Sequence, residues 1–226
     1  MVENRQKKES DISRQIMELE KRALQAQMNP HFIYNSMNSI QQFIIVHDVE
    51  GAMKYLTRFS RILRTVLNMS AQSRIPLYEE IKLIEDYLEL ENMRFPDKFT
   101  YEIIVAPELN IHSAEIPPFF IQPQVENAIR HGLLKKSTSG HLSVEIKKDG
   151  ESLLIIVEDN GIGRVASQQL KYADAKTHVS KGLSIVEERL RHMHSTNGHQ
   201  PFKITDLYDP AKQPLGTRVE ITLPMD

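Results

Sequence analysis

The apolar residues of this 226-residue chain change their spacing once, and that change limits the fold more than any other feature. Up to Arg94 they recur every three or four residues; from Phe99 onward they mostly alternate, with two helical stretches between the alternating segments. A period near 3.6 buries one stripe of a helix, whereas a period of 2 buries one face of a strand. No segment satisfies both, so the chain divides into a helical N-terminal part and a mixed α/β part.

In the helical part, Ile12, Ile16, Leu19, Ala23 and Ala26 form an a/d seam, with charged residues such as Arg14, Glu18 and Lys21 between them. A two-heptad seam with no upstream partner predicts pairing with a second copy; the plainer alternative is an amphipathic helix packed on its own domain. Pro30 removes a backbone donor and crowds the preceding turn, which predicts a kink or break at Asn29-Pro30. The stripe then resumes with Phe32, Ile33, Met37, Ile40 and Ile44. His47-Asp48 predicts a short turn, with Asp48 capping a second helix that carries Met53, Leu56, Phe59, Leu63 and Val66. Two antiparallel helices per chain, paired across a dimer, make a four-helix bundle. Ile75-Pro76 marks a break before a third helix over Leu77–Arg94.

Beyond Pro96, alternation predicts strands over Phe99–Val105, His141–Lys147 and Glu151–Glu158, the last two joined by a hairpin turn at Lys148-Asp149-Gly150. Arg218–Leu223 reads as the closing strand. Helices are expected over Pro118–His131 and Leu183–Met193. Val165–Ser180 is polar and aperiodic, which predicts a loop or mobile lid.

Composition narrows the function. Lys and Arg number 28 against 30 Asp and Glu, a net charge of −2, without the basic excess of a general nucleic-acid binder. With 0 Cys there is no disulfide, thiolate metal site or cysteine nucleophile. The longest apolar runs, Phe43–Val46 and Leu153–Val157, fall far short of the ~20 residues that span a bilayer. Val2–Ser13 is charged throughout, unlike a signal peptide. A soluble, intracellular-type polypeptide is expected, or the soluble part of something longer.

Three segments carry polar residues that a plain core or surface does not require. Leu154–Glu158 runs as a strand into Asp159, followed by Gly161 and Gly163. A carboxylate fixed at a strand end can accept from an exocyclic amine, while glycines leave room for a flat ring beside the backbone; the bland reading is a glycine-rich turn with a capping Asp. Gly161-x-Gly163-x-x-Ala166 formally fits the dinucleotide fingerprint, but no helix stripe follows it and no acid-ended strand lies about 20 residues on. A calcium loop fails because its second and third acidic ligands are missing. In the second segment, Ile121–His131, the residues Ile121, Val125 and Ile129 bury one face. Asn127 and His131 share another, beside Arg130. An amide, a cation and an imidazole suit a magnesium–triphosphate group; a solvated helix face is the alternative. In the third, Gln27–Ser36, His31 is followed four residues on by Asn35, an amide on the same side of a helix. His192, His194 and His199 read as a solvated helix end.

In this order the segments resemble the LytS type of sensor histidine kinase, whose catalytic half has the GHKL (Bergerat) ATP-binding fold. The resemblance runs from about Leu19 to Pro224, and its most specific piece is the NPHF-x-x-N motif, Asn29-Pro30-His31-Phe32 with Asn35. Gln122–Gly132 resembles the family's N-box, Glu158–Gly163 its first glycine box, and Gly182–Leu190 its second; Gly216-Thr217 matches its ending. The implied fold is α + α/β: an N-terminal helical hairpin in a dimeric four-helix bundle, then an α/β sandwich of the GHKL ATPase type. The implied domains are a coiled-coil linker helix over 1–28, dimerisation and phosphoacceptor helices over 29–73, and an ATP-binding domain over 74–226.

The resemblance makes His31 the phosphoacceptor and Asn127 the Mg2+ ligand, with Asp159 on the adenine amine. Gly161, Gly163 and Gly182 then line the ATP site. Ser180, Lys181, Arg130, His131 and Thr217 complete it, and Asn35 serves dephosphorylation. An imidazole of pKa near 6.5 is neutral, as attack requires, at about pH 7. Phe32 stands where most other histidine kinases carry an acid, so the base is unassigned and Glu126 is the candidate left. His178–Lys181 stands where the family's second glycine box carries more glycines. The implied function is ATP-dependent autophosphorylation of His31 and phosphoryl transfer to a response-regulator aspartate. It implies a homodimer, no nucleic acid, and membrane contact only through an N-terminal sensor region absent from this sequence, so a cytoplasmic portion of a bacterial inner-membrane protein. The alternatives are a non-catalytic dimeric nucleotide-binding signalling module and a water-directed ATPase of the same fold.

Overall fold

The computed structural model describes residues 30–173 and 201–225. The seam from Ile12 to Ala26, Ser180, Lys181 and Gly182, the expected helix over Leu183–Met193 and His192, His194 and His199 lie outside the described residues. The chain separates into two compact units, residues 1–73 and 74–226.

In the first unit, α1 (Pro30–Ile45) and α2 (Val49–Met69) form a helical hairpin. The turn between them uses His47 in the left-handed region, φ 59°. Asp48 then caps α2, its Oδ1 accepting from the Gly51 N–H at 2.8 Å, which satisfies a donor that has no intrahelical partner. Tilted ring contacts hold the two helices together, Phe32 on Phe59 and Phe43 on Tyr55, both at 5.8 Å between centroids. Tyr55, Phe59, Ile62 and Val66 give α2 one continuous buried stripe.

The second unit opens with a two-residue pairing of β1 (Ile75–Pro76) against β3 (Glu115–Ile116), with α3 (Leu77–Arg94) and β2 (Phe99–Val105) between. There follow α4 (Gln122–Asn127), β4 (Gly140–Asp149), β5 (Ser152–Asp159), α5 (Gly163–Ala173), β6 (Phe202–Tyr208) and β7 (Pro214–Pro224). The main sheet has the order β2-β4-β5-β7-β6; β2 and β4 run parallel and every other neighbour antiparallel. Leu142, Val144 and Ile146 of β4, Leu153, Ile155 and Val157 of β5, and Val219, Ile221 and Leu223 of β7 alternate inward and are all buried. Gly150 closes the β4–β5 hairpin with φ 61°.

Three expectations are corrected. The helix expected over Pro118–His131 starts at Gln122, because Phe119 has a left-handed backbone (φ 64°) and Pro123 fits only a first helical turn. After Asn127 it widens into a π-helical turn over Ala128–Gly132 and tightens into a 3₁₀ turn over Leu133–Lys135. The loop expected from Val165 is helical as far as Ala173, and the glycine turn therefore does lead into a helix. A bidentate ion pair from Arg164 Nε and Nη2 to Asp206, both at 2.7 Å, ties its first turn to β6. Strand β6 was not foreseen, since Asp206 interrupts its apolar alternation.

Candidate functional site

Asp159 ends β5, opposite Thr217 of β7 and Leu142 of β4. Strand alternation turns its side chain inward, where it is 5% exposed. Burial strips water from the carboxylate and pushes its pKa up from the usual range to about 6, with Glu158 adding repulsion. The Gly161 N–H, which donates to Oδ1 at 2.8 Å, and the nearby Lys136 cation pull the other way.

The backbone closes around this carboxylate. A Cβ on Gly132 would stand 2.6 Å from Asp159 Oδ1, and one on Gly161 would overlap the Gly132 backbone. Only glycine at both positions lets the π-turn and the strand end meet. Beside them lies a cavity of about 190 Å³. Its polar wall includes Asn127, His131, Asp159 and Thr217; Val157, Ile204 and Val219 supply an apolar face. Gly163, φ 75°, borders it at the start of α5, next to the half-exposed Arg164 and the buried Ser167. Its volume is below the roughly 300 Å³ of a full ligand site, so the described residues enclose room for part of a ligand. Such a space accepts a flat heteroaromatic ring between apolar side chains, its amine hydrogen-bonded to a buried oxygen.

Of the residues expected here, Asn127, His131, Asp159, Gly163 and Thr217 line this one cavity, and Gly161 holds Asp159 from behind. Arg130 does not line it: its Nη1 pairs with Glu126 Oε1 at 2.8 Å, one turn back, so neither of these residues faces the cavity wall. The pair sits beside Glu91, which burial raises in pKa while Arg94 Nη1, 3.6 Å away, opposes the shift. His31 and Asn35 lie one turn apart in α1 of the first unit.

One residue of the site and one that anchors its helix escaped sequence reasoning. Glu80 of α3 is fully buried, and its Oε1 accepts from the N–H groups of Ile121 and Gln122 at 2.6 and 3.2 Å. Helix α4 has no side-chain cap of its own at that end, so Glu80 supplies it from another element. Gln124, buried at 2% exposure, lines the cavity one turn before Asn127. Nothing near Glu80 in sequence announces its partner 41 residues on; Gln124 stood among N-box residues, and only its burial singles it out.

Residues 19–99 match the family model described as histidine kinase, and residues 120–226 the one described as histidine kinase-, DNA gyrase B-, and HSP90-like ATPase. The sensor protein LytS of Staphylococcus haemolyticus is 33% identical over 200 residues, covering 86% of this chain and 34% of that protein. LytS of Enterococcus faecalis is 32% identical over 216 residues, 95% of this chain and 35% of its own length. LytS of Oceanobacillus iheyensis is 38% identical over 148 residues, 66% of this chain and 25% of its own length. The chain thus spans about a third or less of these curated relatives.

Proposed function

The chain belongs to the LytS-type sensor histidine kinases, and from that membership we infer that it is the phosphotransfer part of a two-component sensor. Residues 74–226 bind ATP with Mg2+, His31 takes the terminal phosphoryl group, and an aspartate of a response-regulator receiver domain receives it next. What supports this most directly is the buried Asp159 carboxylate at the end of a cavity with one apolar face, held by a backbone N–H and pressed by a glycine.

The residues present fit a nucleotide. Asp159 accepts from the exocyclic amine of adenine, and Val157, Ile204 and Val219 cover the ring. Gly161 fixes the carboxylate, and Gly163 and Thr217 close that end. Asn127 has a buried Nδ2 with no hydrogen-bond partner among the described residues, a donor that suits an acceptor such as a phosphate oxygen. Among the described residues no three His, Cys, Asp or Glu side chains gather as a metal site. If Mg2+ accompanies the nucleotide, Asn127 would offer it one amide oxygen, phosphate and water supplying the rest, a coordination this cation favours. Bound there, it neutralises phosphate charge. His131 and Arg130, with Ser180, Lys181 and Gly182, contact the phosphates, Arg130 doing so from its pairing with Glu126.

In the transfer step the unprotonated imidazole nitrogen of His31 forms a bond to the γ-phosphorus as the bond to the β,γ-bridging oxygen breaks. ADP leaves with that electron pair, and the ring proton passes to a base that the sequence leaves unassigned, with Glu126, hydrogen-bonded to Arg130, as the candidate. Asn35 orients water or the phosphoryl group when phosphohistidine is hydrolysed. Two copies pair through the hairpin, whose α1 and α2 expose Tyr34, Ile44, Val49, Met53 and Leu56. No helix among the described residues is long and apolar enough to cross a membrane; the chain acts as the cytoplasmic portion of a bacterial inner-membrane sensor.

Incubation with γ-labelled ATP and magnesium tests this. The chain should acquire an acid-labile label that is lost in His31→Gln, and label surviving that substitution overturns the assignment.

A further inference from the structure

Lys136 ends the 3₁₀ turn that follows His131 and Gly132. Its ammonium is tied down rather than left to swing in solvent. Nζ donates to the Asn160 carbonyl oxygen at 2.8 Å, and the Lys136 carbonyl oxygen accepts from Lys98 Nζ at 2.9 Å. Asn160 is in turn fixed by β4. Its N–H donates to the His141 carbonyl oxygen at 3.1 Å, and its Oδ1 accepts from the His141 N–H at 2.7 Å. The lysine is thus anchored at both its backbone and its tip, and the tip rests on the residue that follows Asp159.

A cation held there acts on a carboxylate that is 5% exposed. Among the described residues, the Lys136 charge opposes the effect of burial on Asp159, while Glu158 of β5 adds to it. From the other sides, His131 of the π-turn and the uncharged Thr217 of β7 border the same cavity, and Arg164 of α5 is paired with Asp206 of β6. The charge state decides what Asp159 offers a ligand. An ionised carboxylate is an acceptor at both oxygens, whereas protonation turns one oxygen into a donor and weakens the other as an acceptor.

On the nucleotide-binding reading of this cavity, on which the inference rests, we propose that Lys136 is a positioning residue for base recognition: anchored on Asn160, its ammonium fixes the turn after β5 and keeps the Asp159 carboxylate in the charged form that accepts from an exocyclic amine. It acts through Asp159, without contact with the base.

Calorimetry of the full chain with ADP and magnesium from about pH 5.5 to about pH 8 tests this, alongside urea melts of the free chain. Lys136→Met should move the fall-off of ADP affinity to higher pH. Affinity at about pH 5.5 should drop roughly threefold, the scale of one screened charge interaction, while that at about pH 8 stays within about twofold. Lys136→Arg, which keeps the charge, should keep the unsubstituted profile. Without ligand, Lys136→Met should destabilise the chain more at about pH 7.5 than at about pH 4, because only the ionised carboxylate loses the cation's attraction. Combining it with Asp159→Asn should remove that excess. Lys136→Gln repeats the series should methionine misfold. Weakening of ADP by one factor at every pH, or a destabilisation that does not vary with pH, overturns the proposal and leaves Lys136 a structural clamp. If the unsubstituted chain binds no ADP, the nucleotide-binding reading itself fails and the inference falls with it; ADP binding with an unmoved profile sinks the inference alone.

Discussion

At the scale of the residue, Asp159 carries a measurable cost. A carboxyl that titrates near 3.9 in the unfolded chain and at about 6 in the fold binds more protons when folded between those values. The fold's stability should therefore be full below about pH 4 and fall as pH rises through 6, by up to roughly 3 kcal/mol from this group. Asp159→Asn removes that dependence, so denaturant melts should show it stabilising the free chain at pH 7.5 but hardly at pH 4. Nucleotide affinity should respond in the opposite sense, weakening as pH drops below about 6, because a neutral carboxyl is the poorer acceptor. Gly161→Ala gives a second check. Its methyl group has no room against the Gly132 backbone, so nucleotide binding should vanish in a titration.

At the scale of the element, Glu80 shows what holds the Asn127 helix in place. Glu80→Ala leaves two N–H groups, those of Ile121 and Gln122, without their acceptor, at a cost of about 1–3 kcal/mol each. A urea melt of the full chain should show a loss of about 2–6 kcal/mol for the two together, and nucleotide affinity should fall because α4 is no longer anchored. Sequence patterning reads elements well where period and burial agree. Leu142, Val144 and Ile146 alternate without interruption, and Asp48 announces a cap by its chemistry and its place before Val49. It misses elements whose identity is set by a distant partner. Strand β6 and helix α5 each carry a polar residue where the pattern wants an apolar one, and Arg164–Asp206 supplies from across 42 residues what the pattern lacks. The site was legible in the same measure. Asp159, Asn127 and the glycines stand in recognisable motifs, whereas the pairing of Arg130 with Glu126, one turn back, is visible only in the fold.

At the scale of the whole molecule, the chain separates at Ser73 and Arg74 into a hairpin and a sheet unit. The hairpin exposes more apolar surface than a lone pair of helices would be expected to leave in water: Val49 is 70% exposed and Met53 63%. Pairing of two copies through this face is expected to make sedimentation report a dimer, and Met53→Glu with Leu56→Glu should weaken that association about 100-fold. Loss of the phosphohistidine signal should accompany it if a partner's nucleotide serves His31, and not if each copy serves its own. Helix α3 begins at Leu77, just past the boundary, and Glu80 in its first turn grips the start of the helix that bears Gln124 and Asn127. A rotation of α3 by one residue's arc would withdraw that grip and turn the amides off their line. The position of the start of α4 is thus tied, through one buried carboxylate, to a helix that begins three residues past the boundary between the units.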